Sequence, residues 1–190
     1  LSDATLDTTT LSNTLDVQVY EYAYCINGYL TSPEVHAPVH SLDEIIASGK
    51  YHPSLASFLT SAASHPDGLN ETAYKDRRTD IDALKQHVLD VLARHEVDML
   101  VYPHQQILPV PIGQTNQAKR NGILASLASY PAITVPAGSS APTASAPGGV
   151  PVGIEFLGRP WAEPQLIGVA FGFEQATRAR QLPQSVPALP

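Results

Sequence analysis

The sequence predicts an α/β fold: a mixed sheet flanked by helices. Ile81, Leu84, Val88, Val91 and Leu92 recur at three- and four-residue steps across Asn70–His95, with Arg77, Arg78, Lys85 and Asp90 on the opposite face, as an amphipathic helix requires. A short turn at Glu96–Asp98 then feeds the apolar strand Met99–Val101. Two further apolar strands, Ala132–Val135 and Val152–Leu157, flank a loop rich in Gly, Pro and Ser. A second helical pattern follows Glu163-Pro164. Helices alternating with short strands imply a sheet covered on both faces.

Residues 1–16 are rich in Thr, Ser and Asp and read as a loop or linker. Val17–Leu30 is apolar with four tyrosines. They fall only partly on one helical face, and the alternation of Tyr20, Tyr22 and Tyr24 suits a strand equally. Pro33 and Pro38 break the chain. Ser41-Leu42-Asp43-Glu44 is a capping box, so a short helix is expected over Leu42–Ser48, stopped by Gly49.

After the proline-rich stretch Pro103–Ile112, a helix is expected across Gln117–Ser129. Pro131 and Pro136 bracket the next strand, where a residue without an N–H is tolerated. In Val152–Leu157, Val152, Ile154 and Phe156 share one face, and Gly153, Glu155 and Leu157 the other. Gly153 is expected to mark the close approach of another backbone or a ligand, and Glu155 to be a buried, hydrogen-bonded carboxylate. The last helix begins with an acid and Pro164 in its first turn. It is expected to bury Leu166, Ile167, Ala170, Phe171 and Phe173, with an Arg159–Glu163 ion pair positioning it. Arg178 and Arg180 lie near its negative end. Residues 181–190 read as an extended tail, and no internal repeat is present.

At 190 residues and 43% hydrophobic content the chain is long enough for one domain with a sizeable core. Eleven basic and eighteen acidic residues give a net charge of −7. The basic runs are only pairs, Arg77-Arg78 and Lys119-Arg120, so no electrostatic footprint for nucleic acid exists. No apolar run reaches the ~18 residues of a membrane span. The single cysteine, Cys25, excludes an intrachain disulfide and favours a reducing, cytoplasmic setting; the Asn70-Glu71-Thr72 sequon points the other way. The opening Leu1-Ser2-Asp3 has neither methionine nor a signal-peptide pattern, as expected of a processed or fragmentary chain. Charged residues make up 15% of the chain, against about 25% in a typical soluble domain. A surface so poor in charge is expected where another chain segment covers it.

Chemistry-bearing clusters are sparse. His36 and His40 are separated by Pro38, and His87 and His95 have no further ligand at metal spacing, so no zinc site is expected and these histidines read as solvated. No Gly-x-Ser-x-Gly element supports a Ser–His–Asp triad. Cys25, between Tyr24 and Ile26, reads as a buried structural thiol. Gly138-Ser139-Ser140 reads as loop, and Gly148-Gly149 precedes a strand, where a phosphate site needs a helix N-terminus.

Several segments taken together resemble the carboxyl-terminal part of the amidase signature family. They are Asp98-Met99-Leu100-Val101-Tyr102-Pro103, Pro131-Ala132-Ile133-Thr134-Val135-Pro136-Ala137-Gly138, Gly149 through Arg159, and Glu163 with a helix ending Phe173-Glu174-Gln175-Ala176-Thr177. They span about half of the chain in the family's order. The resemblance favours a helix over Val17–Leu30. It also implies that the whole chain is the carboxyl-terminal part of a single amidase domain. Enzymes of the family cleave carboxylic amides with a Ser–cis-Ser–Lys triad and no cofactor, and the glycine- and serine-rich segment bearing the nucleophile is not found in these residues.

The expected partners are therefore the amino-terminal catalytic portion of the same enzyme and a small amide substrate, with no nucleic acid and no membrane. The chain alone is expected to be inactive, with no catalytic residue of its own. Asn121, at the turn before the Pro131–Pro136 strand, is the first substrate-binding candidate, offering an amide donor and acceptor; a helix cap is the competing role. Tyr102 and Gln105 lie just past the strand end where α/β folds place ligands. The alternatives are a non-catalytic scaffold that kept this segment and a transamidase subunit of the tRNA-dependent type.

Overall fold

The computed structural model of the chain describes residues 3–114 and 117–181. All but the first residue of the predicted tail, 181–190, lies outside them. The chain divides into two compact units, Asn13–Asp82 and a second comprising Leu1–Ser12 with Ala83–Pro190.

Within the expected linker at residues 1–16, the described residues instead form a 3-10 turn, Ala4–Leu6, and helix α1, Thr8–Leu15. The Asp7 carboxylate accepts from both the amide and the hydroxyl of Thr10, capping a helix start that polar composition alone does not favour. Leu11 and Leu15, four apart, are buried. Helix α2, Gln18–Leu30, settles the helix-or-strand ambiguity. The Asp16 side chain accepts from the Gln18 amide, and buried Tyr20, Ala23 and Leu30 follow helical spacing. Tyr24 and Tyr29 face outward. Cys25 lies with them on the exposed side, so the expected buried thiol is an exposed one.

Helix α3, Leu42–Ser48, has the predicted caps. Ser41 Oγ accepts from the Glu44 amide, the Glu44 carboxylate reaches back to the His40 amide, and Gly49 ends the helix at φ 63°. Helix α4, Ala56–Ala63, completes this unit's core, in which Ala23, Leu42, Leu59 and Ala62 pack with Tyr22, Ile26 and Phe58 around them. Helix α5, Thr72–Arg94, is the long amphipathic helix of the sequence, and its five predicted apolar positions are all buried.

The second unit is built on three antiparallel strands, β1 (Met99–Pro103), β2 (Ala132–Ser139) and β3 (Pro151–Gly158), in the order β1-β3-β2. Register aligns Tyr102, Glu155 and Thr134 in one cross-strand row and Val101, Phe156 and Ile133 in the next. Successive rows face opposite sides of the sheet. Helix α7, Glu163–Thr177, packs Leu166 and Ala170 against Val135 and Phe156, with Phe173 edge-on to Phe156. Ile167 and Phe171, expected in the core, are 60% and 62% exposed. Leu166, Ala170 and Phe173 already fill the narrow stripe facing the sheet, and Ile167 and Phe171 fall on its flank. The predicted Arg159–Glu163 pair does not form either: Arg159 donates to the Val97 carbonyl, tying the end of β3 to the α5–β1 turn.

Helix α6 covers only Ile123–Ala128, not Gln117–Ser129. The preceding backbone is held in an extended crossing instead. The Gln106 amide donates to the Lys119 carbonyl, Gln105 and Arg120 form an isolated bridge, and Gln117 Oε1 accepts from the Val110 amide. Between β2 and β3, Ser140 closes the loop by pairing its backbone and hydroxyl with Val150.

Candidate functional site

The row Tyr102–Glu155–Thr134 is a polar stripe on the sheet face opposite α7. Glu155 is only 4% exposed, and an unpaired carboxylate there would be costly. Three side chains answer it. The Tyr102 hydroxyl donates to one oxygen at 2.7 Å, and Thr134 Oγ1 donates to the other at 3.1 Å. His104 Nδ1 lies 2.5 Å from that second oxygen. Burial drives the Tyr102 phenol well above its ordinary range, and the Glu155 bond adds to the shift.

Backbone geometry fixes His104. Its amide donates to the Gly153 carbonyl, and its carbonyl accepts from the amides of Asn121 and Gly122. A side chain at 122 would collide with the ring, since an added Cβ would lie 2.2 Å from His104 Cε1. Gly153 serves the same cluster, because a Cβ there would meet the Thr134 methyl at 2.8 Å. The close approach expected at Gly153 is thus to a side chain.

Two cavities border the cluster. One of about 520 Å³ is lined by Leu6, Thr8, Leu100, Tyr102, Asn121 and Leu124 among others. The second, about 440 Å³, is lined by His104, Gln105, Leu108, Pro109, Thr134 and Val152 among others. Of the predicted binding residues, Tyr102 and Asn121 share the first and Gln105 faces the second. The Asn121 side chain is already engaged, donating to the Pro103 carbonyl at 2.8 Å and accepting from Gln106 at 2.7 Å and from Thr8 at 3.3 Å. Gln105 Oε1 is buried without a partner. Tyr102 turns its hydroxyl to Glu155.

His104 is a site residue that the sequence patterns above do not single out. The usable signal is period two: Tyr102 and His104 share a face if the strand is extended beyond Val101. His65 and His87 are not free in solvent either, meeting Glu71 and Asp3 at 2.9 Å. Among the described residues no group of three metal-ligating side chains occurs. Neither Ser139 nor Ser140 is hydrogen-bonded to a histidine or lysine among those residues, and the Ser140 hydroxyl is used within its loop.

The geometry offers hydrogen-bonding groups beside apolar cavities on a short antiparallel sheet. Against known proteins, the Amidase family profile matches residues 11–167. The chain belongs to the amidase signature family.

The chain is 32% identical over 177 residues to a probable amidase of Arabidopsis thaliana, covering 87% of the chain and 30% of that protein. The structure of a peptide amidase from Stenotrophomonas maltophilia superposes with a TM-score of 0.72 at 32% identity, over 88% of this chain and 34% of that one. One subunit of the glutamyl-tRNA(Gln) amidotransferase of Roseobacter denitrificans is 27% identical over 120 residues, 59% of the chain and 23% of that protein. The chain thus spans about a third or less of the length of these relatives. The matched residues 11–167 take in the whole Glu155 cluster and both cavity walls, apart from Leu6 and Thr8. No described helix is long and apolar enough to cross a membrane.

Proposed function

We propose that this chain is the carboxyl-terminal portion of an amidase that hydrolyses carboxylic amides. The remainder of the enzyme would hold the nucleophilic serine, the cis-serine that relays its proton and the lysine base. This portion would supply sheet and one wall of the substrate pocket, with Tyr102, Gln105 and Asn121 among the wall residues and no cofactor. Its partners would be that amino-terminal portion and a small amide, not nucleic acid or membrane. The family match over residues 11–167 carries the reading. The cavities beside the hydrogen-bonding cluster support it, and neither loop serine is paired with a base among the described residues.

Ammonia release tests the proposal. The isolated chain should turn over no simple amide, and joining it to an amino-terminal portion that bears the triad should restore hydrolysis. Turnover by the isolated chain that disappears in Ser139→Ala or Ser140→Ala would overturn the reading. The amidotransferase relatives favour a second one, in which the chain is part of a transamidase. Activity on glutamine that appears only with further subunits would decide for it.

A further inference from the structure

We propose that His104 recognises the substrate amide. Its Nε2 accepts an N–H from a carboxamide bound in the 440 Å³ cleft, and Glu155 is the positioning residue that fixes its tautomer. This rests on the amidase reading and narrows the substrate class to carboxamides that keep an N–H beside an apolar acyl chain.

The tautomer follows if Glu155 is the ionised acceptor of three donors. Tyr102 and Thr134 donate their hydroxyls to its two oxygens. An ionised Glu155 can only accept, so in the contact proposed here Nδ1 carries the proton. In the neutral ring this leaves Nε2 with a bare lone pair. Nε2 has no hydrogen-bond partner among the described residues, and the side chain is 42% exposed. The ring is nonetheless immobilised, held through Nδ1 and closely bordered by Gly122. An unpartnered acceptor on a ring that lines the cleft selects for donors. Around it the cleft is apolar, with Ile107, Leu108, Pro109 and Val152 in its wall. A ligand that fits both features places an N–H on His104 and a hydrocarbon chain against the apolar wall.

Two probes separate donor from acceptor recognition. Hexanamide has carboxamide N–H groups; N,N-dimethylhexanamide keeps the carbonyl and the chain but has none. The 190-residue chain, labelled with 15N-histidine, is titrated with each. Hexanamide should bind saturably and move the Nε2 resonance assigned to His104 by its loss in His104→Gln. The dimethyl analogue should bind more weakly and leave that resonance in place. His104→Ala should weaken hexanamide binding roughly fivefold, the effect of one hydrogen bond, and leave the dimethyl analogue unaffected. Glu155→Gln should redistribute the ring proton between Nδ1 and Nε2, a signature that packing alone does not produce. Equal binding of the two amides, or no binding of hexanamide, overturns the proposal without any variant having to fold; so does a His104 Nε2 resonance unmoved at saturation. Recognition through Nε2 without hydrolysis by the rejoined enzyme would sink the amidase reading alone. Hydrolysis with an unmoved Nε2 would sink this inference alone.

Discussion

The side-chain amide of Asn121 donates to the carbonyl of Pro103 at 2.8 Å, fastening the turn before α6 to the end of β1. Its oxygen is shared by Gln106 and Thr8. Asn121 therefore ties three chain segments together while lining a cavity, and it is not the cap of α6, which begins after Gly122.

Asn121→Ala should cost stability as well as alter substrate preference. Losing these partly exposed bonds is expected to destabilise by about 1 kcal/mol, read as a lower denaturation midpoint at unchanged slope. In the rejoined enzyme, kcat/KM should fall unevenly across amides. A uniform fall accompanied by the lower midpoint would assign Asn121 to structure alone.

The raised phenol of Tyr102 gives an alkaline signature. A group with a higher pKa folded than unfolded adds stability below the unfolded value, about 10 for tyrosine, and that stability drains away as pH rises beyond it. Stability should therefore decline above about pH 10, and Tyr102→Phe should flatten the decline, leaving what the raised phenols of Tyr74 and Tyr130 contribute. An unchanged slope in Tyr102→Phe would place the phenol in water.

Gly122→Ala should displace the His104 ring, because the new methyl would sit 2.2 Å from Cε1. Overpacking of this kind costs about 1–3 kcal/mol, and the His104–Glu155 contact should be lost from the imidazole spectrum. Gly168→Ala, on α7 with no atom within 4 Å of the added carbon, serves as control and should be neutral or stabilising by up to about 1 kcal/mol. Equal effects at the two sites would refute the close approach.

Ile167 and Phe171 stand one helical turn apart on the outer flank of α7, 60% and 62% exposed. The isolated chain should bind a hydrophobic dye or self-associate through such a surface. Ile167→Ser with Phe171→Ser should reduce dye binding and shift sedimentation toward monomer. Dye binding unchanged in that pair would locate the sticky surface elsewhere, for instance at the β1 or β2 edge.

Local pattern determined much of this protein. Periodicity in α5, the Ser41–Gly49 caps of α3, the alternation along β3 and the Pro164 start of α7 were all legible, because each depends on neighbours within a turn or two of chain. The segments from Asp98 to Thr177 also identified the family. Tertiary structure alone decided the rest. Glu155 meets His104 and Tyr102 across separations of 51 and 53 residues, and Asn121 meets Thr8 across 113. Those meetings follow from strand register and chain crossing, which no local pattern encodes. The same holds for the shortened α6, for Cys25 on the outer face of α2 and for Ile167 beside the buried stripe of α7. Hydrophobicity says that a residue favours burial, but only the packed neighbours determine whether a site for it exists.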